Sequence, residues 1–405
     1  MRSVGIGIIG CGVRARGIAR QIIERCPQAK VVALCDPSEH SLALGLEQLN
    51  PQAKVCQTPE ELATFSDVNW VMIGSINSMH ASHAITALTA GKHVFCEKPL
   101  ATTFEDCQRI QQAYQRHGKM FYVGFTMRHT PFYRKIRQLM DDGSIGYLVS
   151  MEFNETLNFN HGGHIHRNWR RHSRNTGSHM LEKCCHDLDL ANWIVGALAQ
   201  YVSSFGGVNF FLPHNARRIE DLGVDAKGRP AYMAWNWDRD TTTNPFLTRD
   251  KDVVDNQVVI LEYGNGVRAT FHTNCNAGIQ ERRMYLLGSE GAIRADVITG
   301  QIEVRRIGWE TESEHFTIDE DYQAHAGGDR VMVDELLATM LHDAPPPVGL
   351  YEGVNAAVTA FAIEEARRTR QVVDLTSWWA CVESSNQEEM KPVASTQPSL
   401  SQGAL

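Results

Sequence analysis

The chain lacks the marks of several broad classes. Its 10 cysteines show no paired Cys-x-x-Cys spacing and sit mostly in apolar surroundings, as in Val31–Cys35 and His93–Cys96. That excludes a disulfide framework as the basis of the fold and favours reduced thiols. No uncharged run reaches the ~18 apolar residues of a membrane-spanning helix. Positive charge is in deficit: 39 Lys plus Arg against 47 Asp plus Glu give a net charge of −8. A general nucleic-acid or anionic-membrane binder needs a basic surface, so neither partner is expected. No signal-peptide pattern precedes the first strand-like segment, and a cytoplasmic protein is expected. Internal repeats and long low-complexity segments are also missing. What is present is an ordinary globular composition, 43% hydrophobic and 21% charged over 405 residues, enough for two domains at ~150 residues each or more. Histidine is the exception, with 17.

The first third alternates strand and helix. Apolar runs at Val4–Ile9, Val31–Cys35, Trp70–Ile73, His93–Cys96 and Met120–Val123 are separated by stretches of helical periodicity. Thr58-Pro59-Glu60-Glu61 is a capping box with proline at the first helical position. Strands joined by single helices predict parallel βαβ units and a doubly wound, Rossmann-type sheet over 1–125. After Phe125 the strands follow one another: Leu148–Phe153, Val258–Tyr263, Val267–Thr273, Arg283–Leu287 and Gln301–Arg306, with an Asn265-Gly266 hairpin signal. This predicts an α/β domain with an open, mainly antiparallel sheet over 126–382, including late helices at 329–342 and 352–370. The tail at 383–405, rich in Ser, Gln and Pro, is expected to be disordered.

Gly5, Gly7 and Gly10 spell Gly-x-Gly-x-x-Gly, but they lie inside the strand. The register that makes mechanical sense is Gly10-x-Gly12-x-x-Ala15, at the strand-to-helix turn. There the first glycine permits the turn and the second lets backbone approach a pyrophosphate. The small third residue lets helix and strand pack closely. Val13 and Arg14 open the helix, and Arg14 adds a charge. Asp36 ends the second strand, where an acid binds the ribose 2′-hydroxyl and repels a 2′-phosphate. The cofactor expected is therefore NAD rather than NADP. The alternative is a glycine turn that holds another nucleotide, or none.

Glu97-Lys98-Pro99 follows the strand His93–Cys96 at the carboxyl edge of the sheet, where ligands bind. On an ordinary surface loop such a pair would be solvated charge. With the glycine turn, the stretches Gly74-Ser75-Ile76-Asn77-Ser78-Met79-His80 and Ala90–Pro99 closely resemble the Gfo/Idh/MocA family of sugar and cyclitol oxidoreductases. The resemblance implies that Ser75, Asn77, His80 and Glu97 lie on the cofactor side. It further implies that Lys98 contacts the reacting hydroxyl beside the nicotinamide.

A third constellation runs from Gly177 to Trp193. Leu181, Leu188, Ala191 and Ile194 suggest a helix, which would set Glu182 and His186 on one face with Asp189 nearby. A carboxylate beside an imidazole holds its tautomer and raises its basicity. The plain alternative is a capped, hydrogen-bonded structural histidine. The resemblance adds that family members carry an acid-x-x-x-His-Asp-x-Asp segment whose histidine is assigned as general acid/base. This chain has Glu182 where many have Asp, and Lys183-Cys184-Cys185 where small residues are usual.

Six of the 17 histidines fall between His161 and His186. His161, His164 and His166 form His-x-x-His-x-His, but Arg167, Arg170, Arg171 and Arg174 are interleaved and no carboxylate occurs between His161 and His179. No metal site is therefore expected. Gly162-Gly163 suggests an irregular loop of hydrogen-bond donors for a hydroxylated or anionic substrate, with His164 and His166 facing it. An ordinary solvated basic loop is the alternative. Trp169-Arg170 resembles the family segment that reaches the cofactor. Arg128 and His325 are further substrate candidates, and Asp329 reads equally as a helix cap. Trp235 and Trp237 lie in a polar insert at 207–256.

The resemblance implies hydride transfer between NAD and a secondary alcohol of a sugar, sugar derivative or cyclitol, with Lys98, His186 and Glu182 as the catalytic group. It also implies a homodimer or homotetramer through the C-terminal sheet. Two alternatives stand: a glycoside-cleaving enzyme using tightly bound NAD for transient C3 oxidation, and a non-catalytic NAD-binding regulator.

Overall fold

The computed structural model describes residues 3–237, 240 and 242–387. Six strands make the first sheet: β1 (Val4–Ile9), β2 (Ala29–Cys35), β3 (Lys54–Val55), β4 (Trp70–Ile73), β5 (His93–Cys96) and β6 (Phe121–Val123). All are parallel, in the order β3-β2-β1-β4-β5-β6. β1 and β4 are buried along their whole length, as strands covered on both faces must be. The strand order reverses between β1 and β4, so their carboxyl ends open the crevice where doubly wound sheets bind ligands. Helix ends follow the predicted chemistry. Thr58 accepts the Glu61 N–H at a helix that opens on Pro59, and left-handed Gly118 closes the helix Phe104–His117.

Nine strands make the second sheet: β7 (Leu148–Asn158), β8 (Ala199–Gly207), β9 (Asn256–Tyr263), β10 (Arg268–Ala277), β11 (Arg283–Gly288), β12 (Gly291–Asp296), β13 (Gln301–Arg306), β14 (Ser313–Thr317) and β15 (Val373–Asp374). Their order is β14-β13-β12-β11-β7-β10-β9-β8-β15, antiparallel except for the β7–β10 pair. The Asn265-Gly266 turn joins β9 to β10, with Gly266 at φ 83°. One face is covered by the helices Cys185–Val195 and Leu350–Thr369. The other exposes Phe205, Val258, Ile260, Tyr285 and Leu287. Among the described residues no helix is long and apolar enough to cross a membrane, and all ten cysteines are free.

Two sequence expectations need correction, and a third element gains a neighbour. Residues 159–167 are helix, not irregular loop. A Cβ on Gly162 would lie 1.8 Å from the Cys275 carbonyl oxygen, and one on Gly163 1.8 Å from that of Tyr232. These glycines serve close packing of a helix on its neighbours, a tertiary need. The last helix, Thr376–Gln387, takes in the first five residues expected to be disordered; residues 388–405 lie outside the described residues. Finally, the helix Gly328–His342 packs back on the first unit, burying Met332, Val333, Leu336 and Met340 with Ile18 and Ile22.

Candidate active site

The site begins with backbone. Gly5 and Gly7 lie in β1, and the turn falls at Gly10–Ala15. Gly10 has φ 87°, and a Cβ there would lie 2.3 Å from the Ser75 amide nitrogen. Gly12 caps the helix Val13–Arg25, whose first turn has no acidic residue and no side-chain cap. A Cβ on Gly12 would meet nothing nearer than the Gly74 carbonyl oxygen at 3.9 Å. An open glycine face before uncapped helix N–H groups fits a pyrophosphate. Asp36 stands beside this turn, accepting N–H groups from Cys11 (2.6 Å) and Ser38 (2.8 Å).

Glu97-Lys98-Pro99 follows β5, with a cis Lys98–Pro99 bond. The Lys98 ammonium crosses to the second unit, donating to the Glu182 carbonyl oxygen at 2.6 Å and lying 3.8 Å from its carboxylate. Arg170 Nε donates to the same carboxylate at 3.0 Å. Burial alone would raise the Glu182 carboxyl, but Lys98, Arg170 and Lys183 outweigh it and hold the group at about 2.

The Gly177–Trp193 segment is not one helix. A short helix, His179–Glu182, and a longer one, Cys185–Val195, are broken at Lys183-Cys184. Glu182 and His186 therefore do not share a helical face, and the Glu182 carboxylate faces Lys98 and Arg170 rather than the imidazole. His186 packs edge-on against Phe125 with ring centroids 5.7 Å apart, and its Nδ1 has no hydrogen-bond partner. Burial first, then Lys98, Arg282, Lys183 and His325, push its imidazole well below the usual histidine range. These surroundings disfavour the charged imidazole, and the unpartnered Nδ1 is open to a hydrogen bond.

Both halves of the chain match models of one family: the oxidoreductase NAD-binding Rossmann fold over residues 4–125, and its C-terminal alpha/beta domain over 137–375. The chain belongs to the Gfo/Idh/MocA oxidoreductase family. The chain spans about half the length of the inositol 2-dehydrogenases it matches. Inositol 2-dehydrogenase of Gluconacetobacter diazotrophicus is 31% identical over 204 residues, 50% of this chain and 57% of that protein. The Salmonella typhimurium enzyme of the same name is 32% identical over 190 residues, 47% of this chain and 54% of that protein. Among solved structures, levoglucosan dehydrogenase complexed with NADH and levoglucosan has a TM-score of 0.74 at 17% identity, covering 93% of this chain and 100% of that one. Aldose-aldose oxidoreductase of Caulobacter crescentus, complexed with glycerol, has a TM-score of 0.70 at 20% identity, covering 92% and 100%. These two structures share the fold.

Within this Gfo/Idh/MocA chain, several of the residues expected on the ligand side also make internal links. Arg14 brings no free charge to the glycine turn. Its three guanidinium nitrogens donate to Glu97 (2.9 Å), Asp329 (2.7 Å) and Thr126 (2.7 Å), tying the turn, the Glu97 loop and the late helix together. Glu97 is correspondingly 7% exposed. His80, 1% exposed, has its ring nitrogens on the carbonyl oxygens of Pro99 and Ser75. Ser75 contacts His83 Nδ1 through its hydroxyl, and the buried Asn77 Nδ2 has no partner. Arg128 is gripped by Asp189 through two hydrogen bonds of 2.7 and 2.8 Å. Asp189 therefore faces Arg128 rather than His186.

The histidines divide in the same way. His166 is fully buried and stacked on Phe211 at 4.4 Å, so it is a core residue and not a substrate contact. His164 is buried beside Asn168. His161 is only half-buried. It stacks on Trp235 at 4.0 Å and feels the charges of Lys183, Arg170 and Lys98. His325 bonds to Asp329 at 2.9 Å, lies 6.1 Å from Trp237 and bears on His186. Trp169 is half-buried beneath the Arg170 guanidinium at 4.3 Å. Sequence reasoning missed His161 as a ring beside Trp235, noted Lys183 only as a departure from the usual small residue, and missed the buried charges Glu155 and Arg282 altogether. Glu155 and Arg282 carry no local signal; only the sheet brings them beside Asp187.

Proposed function

We propose that the chain is an NAD-dependent dehydrogenase acting on a secondary alcohol of a sugar, sugar derivative or cyclitol. One observation carries this reading. The Rossmann-unit Lys98 reaches the segment that holds His186, whose buried ring leaves Nδ1 unpartnered. Asp36 at the glycine turn favours NAD over NADP by repelling a 2′-phosphate. The bound nicotinamide supplies the hydride acceptor. Lys98 hydrogen-bonds the substrate hydroxyl and stabilises the oxygen as negative charge develops there. His186 takes the hydroxyl proton. Glu182 acts through others: it holds Lys98 and Arg170 in place. On this reading Ser75, Asn77 and Trp169 would border the cofactor, and His161, Trp235 and His325 the substrate.

The exposed apolar face of the second sheet supports a homodimer or homotetramer formed through it. Nine buried thiols, all free, suit the reducing cytoplasm. The test is a panel of sugars, cyclitols and glycosides with NADH formation as the readout. Turnover of a polyol that accumulates NADH is the expected result. Glycoside cleavage without NADH, or NAD binding with no turnover at all, would overturn it.

A further inference from the structure

We propose that Asp329 is a positioning residue: held by Arg14, it fixes the tautomer of His325 so that Nε2 is presented as an acceptor for a hydroxyl of the substrate. The inference rests on the reading of the crevice as a polyol site. No carboxylate on its own segment orients His186, because Glu182, Asp187 and Asp189 each face a cation. The histidine held by a carboxylate is His325. Its Nδ1 lies 2.9 Å from Asp329 Oδ2, and the same oxygen accepts from Arg14 Nη1 at 2.7 Å. Burial alone would raise the Asp329 carboxyl, but Arg14 and His325 outweigh it and hold the group well below the usual carboxylate range. An ionised carboxylate can only accept, so Nδ1 carries the ring proton and Nε2 of the neutral imidazole keeps its lone pair. Burial pushes the imidazole below the usual histidine range, which favours that neutral form. The side chain is still 27% exposed, so a ligand can reach the ring.

His325 stands where the two units meet. Asp329 lies in the first turn of the helix Gly328–His342, and Arg14 lies in the first turn of the helix that follows the glycine turn. Arg14 also donates to Glu97, the neighbour of Lys98, and to Thr126. A Cβ on Gly328 would lie 2.6 Å from the Thr126 carbonyl oxygen. The turn is therefore pressed against the residue after Phe125, whose ring packs on His186. On its other side the His325 ring meets Trp237 edge-on, with centroids 6.1 Å apart. The cofactor turn and the insert that carries Trp235 thus bracket His325. The backbone is also held in a costly shape. His325 and Ala326 have φ 52° and 46°, ahead of Gly327 at 75°. Among the described residues they are the only adjacent non-glycine pair in the left-handed region, and unlike Asp343 and Arg370 they do not close a helix. Such strain persists only where the surroundings over-determine it, and it gathers at functional sites. Here the Arg14–Asp329–His325 chain and the Ala326 N–H, bonded to the Asp321 carbonyl oxygen at 2.9 Å, maintain it.

Nitrogen-15 NMR of the histidine rings reads the tautomer directly, with the His325 signals assigned through His325→Gln. Wild type is expected to carry the proton on Nδ1 and none on Nε2. In Asp329→Asn the amide keeps an oxygen for Arg14 but turns an N–H toward Nδ1, so the proton moves to Nε2 and the acceptor becomes a donor. Asp329→Asn is then expected to raise the polyol KM, and the polyol dissociation constant on the NADH-loaded chain, about tenfold. Its kcat and NADH dissociation constant should stay within about twofold of wild type. His325→Ala should raise KM to the same degree, whereas the amide oxygen of His325→Gln can stand in for Nε2 and should restore most of it. A merely structural role would not separate Gln from Ala. A wild-type ring protonated on Nε2 overturns the proposal. So does a tautomer unchanged in Asp329→Asn, or one that changes while polyol binding does not. myo-Inositol, D-glucose and glycerol serve as probes, added with NADH for NMR and with NAD for turnover. A probe that is turned over without shifting the Nε2 signal overturns this role of His325 alone. A probe that shifts Nε2 but is not turned over upholds it and overturns the dehydrogenase reading. Neither effect from any probe overturns both.

Discussion

At Gly10 and Gly12 the site is built from backbone, whereas around His186 it is built from buried charged side chains. The first construction needs two residues without side chains and a helix end that is left open. The second needs strands, a broken helix and a late turn to bring Lys98, Lys183, Arg282 and His325 around one imidazole. Backbone sites tolerate exchange of the side chains beside them but not of the glycines themselves. Charged sites tolerate little in either partner, because an ion left unpaired in the interior is costly. The two halves should therefore fail differently under mutation.

The largest expected effect falls on the charged half. His186→Ala and Lys98→Ala should each lower kcat by about 100- to 10,000-fold, while the NADH dissociation constant stays close to wild type. Stopped-flow turnover and fluorescence titration read the two quantities separately. Near-wild-type kcat in either variant would remove that residue from the chemistry. Loss of NADH binding would erase the distinction between the halves.

The backbone half should divide by glycine. Gly10→Ala places a Cβ at φ 87° and 2.3 Å from the Ser75 nitrogen, so it should lose about 1–3 kcal/mol of stability from the conformation alone. Gly12 has φ −66° and open space around its α-carbon. Gly12→Ala should therefore fold with near-wild-type stability and yet bind NADH more weakly, because its methyl stands where a pyrophosphate approaches. Chemical denaturation and NADH titration check the pair. Equal destabilisation of both variants would contradict this division of roles.

Acid sensitivity should belong to the charged half. The Glu182 carboxyl is held at about 2, below its unfolded value near 4.3. A depressed carboxyl contributes stability above its unfolded pKa and loses it as pH falls through the folded one. The stability difference between wild type and Glu182→Gln should be up to about 3 kcal/mol at pH 6 and shrink between about pH 4.5 and 2. Urea unfolding over that range tests it. A difference independent of pH would mean that the carboxylate is not held by Lys98 and Arg170.

The same contrast explains what the sequence made legible. Glycines at a strand-to-helix turn, an acid at the end of the next strand and a Lys-Pro pair after another are local patterns fixed by backbone geometry, so the Rossmann unit could be read directly. The His186 segment was readable only as a likeness to relatives. Helical spacing predicted a Glu182–His186 pair, yet the break at Lys183-Cys184 turns Glu182 toward Lys98 and Arg170. Nothing in the order of residues places Glu155 beside Arg282, or Cys275 against Gly162. Arg128 and His166 looked available because exposure was assumed, whereas Asp189 and Phe211 occupy them. Chain reversals of about 45 to 127 residues carry these contacts, and local periodicity contains no record of them.

The smallest expected effect concerns Asp36, which joins the two kinds of construction: it is a charged side chain engaged with backbone. One oxygen accepts the Cys11 N–H and the other the Ser38 N–H, so the carboxylate is already oriented over the turn. An adenosine ribose bound beside the turn would find an acceptor for its 2′-hydroxyl, and a 2′-phosphate would meet like charge. Asp36→Asn keeps an oxygen for Cys11 but removes the charge. Asp36→Ala removes both. If charge sets the preference, both variants should lose about tenfold in the ratio of NADPH to NADH dissociation constants, a change of about 1.4 kcal/mol. If orientation of the turn matters more, Ala should weaken both cofactors together and Asn neither. Titration with NADH and NADPH in parallel separates the two, and an unchanged ratio in both variants would take Asp36 out of cofactor selection.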